Sequence, residues 1–204
     1  MSDATVRNKQ RLRRALRQRR DELARRDERS AAICERVRGM ARYHAASVLH
    51  CYLPIRSEVD TRPLIGAALA AGKRIIVPVV AGADLEHAWL TSLANEEMDI
   101  GSFGTAQPRL LQPAALGAWD MVLVPLLGFS RDGYRLGYGK GYYDRLLTAT
   151  PHIPALGIAF AAQEVAHLPH EAHDIALHTI VTEDEVITVG SAGTAGAAYG
   201  TTSL

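Results

Sequence analysis

The sequence predicts a three-layer α/β/α domain with a largely parallel sheet, preceded by an N-terminal helical hairpin. Two observations carry this. Short apolar runs alternate along the chain with segments of helical periodicity, the pattern of strands buried between layers of helices. Ahead of the first such run, residues 5–22 and 28–42 place apolar side chains at helical spacing among arginines. At 204 residues, 48% hydrophobic and 22% charged, the chain suits one globular unit with a real core, which we place at 1–189.

The elements follow in order. The first helix, 5–22, sets Leu12, Ala15, Leu16 and Arg19 on one stripe, and the second, 28–42, uses Ala31, Ile33, Val37 and Met40. Together they make an arm, 5–42, packed on or over the α/β body. Residues 7–20 hold eight Arg or Lys and no acid, whereas 39–204 hold ten basic and sixteen acidic residues, so a basic arm meets an acidic body. No aromatic interleaving or reader motif accompanies the arginines, and nucleic acid is set aside as a partner. A first strand at 47–53 ends at Pro54. Thr61 or Asp60 then caps a helix with Pro63 in its first turn, running to Ala71 and stopped by Gly72. Strands are expected at 73–80 and 86–93, a turn-rich link at 101–108, and strands at 121–127 and 155–160. A closing strand or short hairpin occupies 179–189, and small-residue low complexity at 190–204 predicts a disordered tail. No run approaches the roughly 18 apolar residues of a membrane span, and no apolar segment follows the basic start as in a secretory signal. Cys34 and Cys51 form neither a disulfide framework nor a zinc spacing, and are read as core thiols in a reducing cytoplasm.

The chain is organised around the stretch that follows the 121–127 run. It carries Gly133, Gly137, Gly139 and Gly141, interleaved with Arg135, Tyr138 and Lys140, and leads into a helix start at GYYDRLL. Such glycines bring backbone N–H groups close to a ligand, and the next helix adds its unpaired first-turn donors. Two added cations favour a polyphosphate over a carboxylate. Asp144 is either a helix-start acid or a ligand for Mg²⁺ beside phosphate. The bland alternative is a glycine-rich connection with a solvated Lys and Arg. A dinucleotide fingerprint and a Walker loop both fail on spacing.

The longer string GFSRDGYRLGYGKGYYDR, from Gly128 to Arg145, closely resembles the signature of the 5-formyltetrahydrofolate cyclo-ligase (methenyltetrahydrofolate synthetase) family. The match is complete at the defining positions from Gly133 to Asp144, while Ser130 stands where the family usually has Asp. KQRLR at 9–13 is similar to the family's N-terminal element, and LPHEAHD at 168–174 to a segment that helps to bind Mg²⁺. His178 departs from a frequent family Asp. The resemblance implies closure of 5-formyltetrahydrofolate to 5,10-methenyltetrahydrofolate at the expense of ATP, by phosphorylation of the formyl oxygen and attack by N10 of the substrate. It further implies that Lys9, Arg13 and the run Arg135, Leu136, Gly137, Tyr138, Gly139, Lys140, Gly141, Tyr142 and Tyr143 meet ATP. Lys140 and Arg135 are the catalytic candidates. Leu53, Glu58, Tyr138 and Tyr142 are the folate candidates, and Asp144 with Asp174 the Mg²⁺ candidates. The implied partners are ATP and the folate, with no membrane, and a monomer or weak homodimer is expected.

One compositional feature stands apart from the resemblance. The chain has 20 Arg but only Lys9, Lys73 and Lys140, and two of the three fall at proposed phosphate contacts. His167, His170 and His173 are spaced by three, but Pro169 interrupts any regular helical face, so a histidine metal site is not favoured. Two rivals remain: a non-catalytic relative that binds nucleotide or RNA, and a different nucleotide-dependent transferase.

Overall fold

A computed structural model describes residues 3–171 and 174–189, so the expected tail at 190–204 lies outside the described residues. In chain order the elements are α1 (Asp3–Asp21), α2 (Arg26–Arg38), α3 (Ala41–Ala45), β1 (Val48–His50), α4 (Arg62–Ala70), β2 (Arg74–Ala81), β3 (Asp84–Leu90), β4 (Met98–Ile100), β5 (Ala106–Pro108), β6 (Met121–Pro125), β7 (Gly128–Phe129), β8 (Arg135–Leu136), α5 (Tyr142–Ala149), β9 (Ala155–Ile158), β10 (Thr179–Val181) and β11 (Val186–Thr188). Seven strands form one sheet in the order β11-β10-β9-β6-β1-β2-β3. All its neighbours pair in parallel except the edge pairs β2–β3 and β10–β11, whose antiparallel course needs only a tight turn.

Both faces of this sheet are covered, which is why its strands read as unbroken apolar runs. Leu49, Met121 and Leu123 point to a core closed by Ile33, Cys34 and Val37 of α2 and Leu64, Ile65 and Ala68 of α4. Their neighbours Val48, Val122 and Val124 point the other way, onto Leu146 and Leu147 of α5 with Trp119 and Phe129. Helices on two sides of a mainly parallel sheet are the three layers that the alternation predicts. Each fully buried Leu, Ile or Val contributes about 1.5–3 kcal/mol of burial energy.

Sheet order also positions the site. From β1 the chain advances through α4 to β2 on one side, whereas from the adjacent β6 it advances through α5 to β9 on the other. The crevice beyond the carboxyl ends of two strands that part in this way is where open α/β sheets take ligands.

Three expectations are corrected. The packing stripe of the first helix is not the one expected: α1 lies against the 3-10 turn Ala161–Gln163, and α2 against α4 and β10. The cause is the buried face of α1, which is Lys9, Leu16 and Arg20 with Leu12 half-buried beside them, while Ala15 and Arg19 are exposed. Leu16 sits over Gly128, where a Cβ would meet its Cδ1 at 2.5 Å. The helix expected at 28–42 is interrupted at Gly39 and resumes as α3. The strand expected at 47–53 pairs only over Val48–His50, and the chain then leaves the sheet to line the crevice. Among the described residues no helix is long and apolar enough to cross a membrane.

Candidate active site

The glycine-rich loop leaves β6 and folds first into the small β7–β8 ladder, which sets Phe129 opposite Arg135. Its turn closes by Ser130 N–H to Tyr134 O and Gly133 N–H to Ser130 O, both 3.0 Å. The Ser130 hydroxyl donates to Asp132 Oδ1 at 2.5 Å, a charged acceptor two residues on. Gly133 has φ +91°, and a Cβ there would lie 2.4 Å from the carbonyl oxygen of Leu177. Leu177 N–H donates to Gly133 O at 2.9 Å, and Arg135 Nη1 donates to Ile175 O at 2.5 Å. These bonds bring the remote segment carrying Asp174 against the loop.

A cavity of about 130 Å³ results, lined by Lys9, Arg13, Pro125, the whole run from Arg135 to Tyr143, Asp144 and Asp174. It therefore collects every residue that the sequence offered for ATP and metal. Its charges are internally compensated. Arg135, its side chain 5% exposed, holds Asp144 Oδ1 at 2.6 Å. Lys9 Nζ holds Asp174 Oδ2 at 2.8 Å, with Glu171 at 3.7 Å. Arg13 donates from Nε to Gly137 O at 3.0 Å, and its guanidinium lies flat against Gly139, where a Cβ would meet Cζ at 3.0 Å. Burial pulls the Arg135 pKa down, with Asp144 and then Asp174 opposing it. The same desolvation lowers Arg13, again against Asp174. An anion entering here meets four cations, Lys9, Arg13, Arg135 and Lys140, two of them paired with the carboxylates. It also meets the start of α5, whose N-cap is Gly141 at φ +70° with no side-chain cap, so first-turn N–H groups remain for a ligand.

A second cavity of about 340 Å³ shares Pro125, Tyr138, Lys140, Tyr142 and Tyr143 with the first. All four folate candidates, Leu53, Glu58, Tyr138 and Tyr142, line it, together with Tyr52 and with Pro78 and Val80 of β2. Glu58 is only 9% exposed, and its Oε2 accepts from Ile55 N–H at 3.0 Å. Burial raises its pKa; the Ile55 N–H, Arg20 and the Tyr138 hydroxyl act in the opposite direction. Tyr142 donates its hydroxyl to Gly82 O at 3.0 Å, and Arg145 Nε reaches Asp84 Oδ1 at 3.0 Å, so the β2–β3 turn is fastened to the start of α5. The Tyr143 hydroxyl is buried with no hydrogen-bond partner, on a side chain that borders both cavities.

Three arginines escaped the reading of the sequence. Arg17 and Arg56 line the second cavity, and Arg20 is 1% exposed behind it. Arg17 was within reach, because it continues at four-residue spacing the helical face of Lys9 and Arg13. The histidine segment offers no comparable grouping: His170 stacks on Tyr134 with ring centroids 3.6 Å apart, and His173 lies outside the described residues. Two carboxylates in the lining of a cation-rich cavity fit Mg²⁺, which is usually bound by one or two carboxylates together with phosphate oxygens and water. Among the described residues there is no group of three or more candidate metal ligands, so the donor set is not that of an all-protein cage.

Known proteins resemble this chain in sequence and in fold. The model of the 5-formyltetrahydrofolate cyclo-ligase family matches residues 5–183. The 5-formyltetrahydrofolate cyclo-ligase of Escherichia coli K12 is 34% identical over 149 residues, covering 69% of this chain and 80% of that protein. The mouse protein of the same name is 28% identical over 171 residues, covering 76% of this chain and 82% of its own. The solution structure of Aquifex aeolicus 5,10-methenyltetrahydrofolate synthetase superposes with a TM-score of 0.79 at 30% identity, covering 94% of this chain and 97% of that one.

Proposed function

The chain belongs to the 5-formyltetrahydrofolate cyclo-ligase family, and from that premise we propose how its residues carry out the ATP-dependent closure of 5-formyltetrahydrofolate to 5,10-methenyltetrahydrofolate. The observation that carries the reading is the pair of cavities with a common wall of Tyr138, Lys140, Tyr142 and Tyr143. One is charged for a polyphosphate, and the other has a buried carboxylate for a heterocycle with N–H donors.

The chemical difficulty is the formyl oxygen, a poor leaving group on a resonance-stabilised amide. In this reading it attacks the γ-phosphorus of ATP, releasing ADP and giving an iminium phosphate. N10 of the same substrate then adds to the formyl carbon, and inorganic phosphate departs with the oxygen. Both nucleophiles belong to the substrate, so the protein supplies alignment and charge. Lys9, Arg13, Arg135 and the loop N–H groups hold the phosphates. Lys140, on the common wall, meets the phosphoryl group in transfer. Glu58 accepts adjacent pterin N–H groups, and Leu53, Tyr138 and Tyr142 wall the ring and keep water from the iminium carbon. Asp144 and Asp174 would hold Mg²⁺, which supplies charge neutralisation at the phosphate oxygens. Residues 1–189 act as one unit in this scheme, as a monomer or weak dimer. We place its work in the reducing cytoplasm, because Cys34 and Cys51 are kept as buried thiols, with Cys34 pushed up to about 11 by desolvation.

The direct test mixes protein, Mg-ATP and 5-formyltetrahydrofolate and follows the methenyl chromophore. ATP consumption without that product would favour a different transferase. Salt-sensitive RNA binding without turnover would favour a non-catalytic relative.

A further inference from the structure

Arg20 is the most deeply buried charged side chain among the described residues, and it borders neither cavity. Each of its nitrogens is committed. Nε donates to Ser57 Oγ at 3.1 Å, and that hydroxyl in turn donates to Asp21. Nη1 faces Leu126 O at 3.5 Å, at the end of the central strand. Nη2 donates to the Tyr138 hydroxyl oxygen at 2.7 Å. One guanidinium thus joins α1, the 55–58 loop, the segment after β6 and the glycine-rich loop.

The polarity of the last bond matters. A guanidinium has donors only, so Tyr138 accepts from it, and the phenol's single proton is left to point elsewhere. Glu58 lines the same cavity as Tyr138, so its carboxylate is an acceptor toward which that proton can be turned. We propose that Arg20 is a positioning residue for the folate: through Tyr138 it fixes Glu58 as an ionised acceptor, able to take N–H groups of the pterin. This rests on the reading above, in which Glu58 holds the substrate. Burial opposes the ionised state, and the charged or titratable groups around Glu58 are Arg20 behind the cavity, Arg17, Arg56 and Lys140 along its wall, and the hydroxyls of Tyr138, Tyr52 and Tyr143. Of these, Arg20 alone is both cationic and fastened to Tyr138 by a hydrogen bond among the described residues.

The test is steady-state kinetics of the full chain from about pH 6 to about pH 9, with Arg20→Met, Arg20→Lys and Tyr138→Phe. A Glu58 pKa carried upward by one unit costs at most tenfold in folate binding. Arg20→Met should therefore raise the folate KM most at the acid end, by no more than about tenfold, with the ratio to the unmodified chain closing toward one at the alkaline end. The KM for ATP should stay put, because Arg20 lies outside the phosphate cavity. Arg20→Lys should recover most of the loss, and Tyr138→Phe, which keeps the ring, should reproduce the pH-dependent part even if Arg20→Met fails to fold. A folate KM that is unchanged, or raised by the same factor at every pH, overturns the proposal. Failure of the unmodified chain to form methenyl product would overturn the function itself, and is seen before any variant is made.

Discussion

Lys140 sits between two glycines in the left-handed region, Gly139 at φ +93° and Gly141 at φ +70°, with the Arg13 guanidinium already against Gly139. A compact ammonium fits there, whereas a second planar fork would crowd the first and repel it. If Lys140 meets the phosphoryl group as it moves, Lys140→Ala should lower kcat by roughly 10²–10³ and leave the KM for ATP nearly unchanged. Lys140→Arg should recover little. Kinetics against Mg-ATP at saturating folate decide it, since full recovery by Arg, or a change in KM alone, means an ordinary clamp. The two carboxylates make a paired expectation. Asp144→Ala and Asp174→Ala should both abolish turnover, but they should differ in stability. Removing Asp144 leaves the nearly buried Arg135 without its ion partner, which we place at about 1–3 kcal/mol after discounting for the 30% exposure of Asp144. A denaturant midpoint shared by the two variants would contradict that ordering. At this scale the loop was readable, because its residues are contiguous and their types state their chemistry. Ser130 was readable only as a departure from the family pattern, and that its hydroxyl donates to Asp132 appears only in the structure. Arg20 was not readable, since one arginine among eight cations looks like the rest until its burial is known.

Among the elements, α1 bears on both halves of the reaction. Lys9 and Arg13 reach the phosphate cavity, Arg17 the folate cavity and Arg20 the support behind it, along a span of roughly 16 Å at helical rise. The periodicity of the sequence identified the helix and misplaced its face, because long cations with apolar stems can occupy buried positions and look hydrophilic on any scale. Gly133 joins the loop to the Asp174 segment in the same way that α1 joins the two cavities. Gly133→Ala would force a side chain into φ +91° and against a backbone carbonyl that cannot swing aside. A loss of about 1–3 kcal/mol in denaturant unfolding is expected, together with a drop in kcat as Asp174 shifts from the loop. Gly137→Ala is the control for stability, since a Cβ at Gly137 meets nothing within 4 Å. Equal midpoints for the two variants would show that the Leu177 contact relaxes at no cost.

For the molecule as a whole, the alternation of runs foretold three layers, and the parallel order follows from crossovers long enough to hold helices. What no local pattern could foretell is which polar groups meet across the sheet. His50 on β1 and His87 on β3 lie two strands apart, yet their rings approach with Nε2 and Nδ1 at 3.2 Å, packed at an angle beside Trp119 at centroid distances of 4.5 and 4.8 Å. His50 is wholly buried, and desolvation followed by the repulsion of His87 lowers its pKa from 6.5 to about 3; burial also lowers that of His87. The fold therefore holds a neutral imidazole that the unfolded chain protonates below pH 6.5. Its contribution to stability is complete above that value and is lost as pH falls from 6.5 toward 3, because the unfolded state then binds the extra proton. One proton corresponds to about 1.4 kcal/mol per pH unit, so roughly 2 kcal/mol should be gone by pH 5 from His50 alone. Urea unfolding at intervals between these limits measures the slope. His50→Gln, which keeps a polar partner for His87 and cannot ionise, should be less stable at neutral pH and should remove close to one proton's worth of that slope. If the variant loses stability with acid as steeply as the unmodified chain, the protonation lies elsewhere, and the His50–His87 pair is only a well-packed contact beneath Trp119.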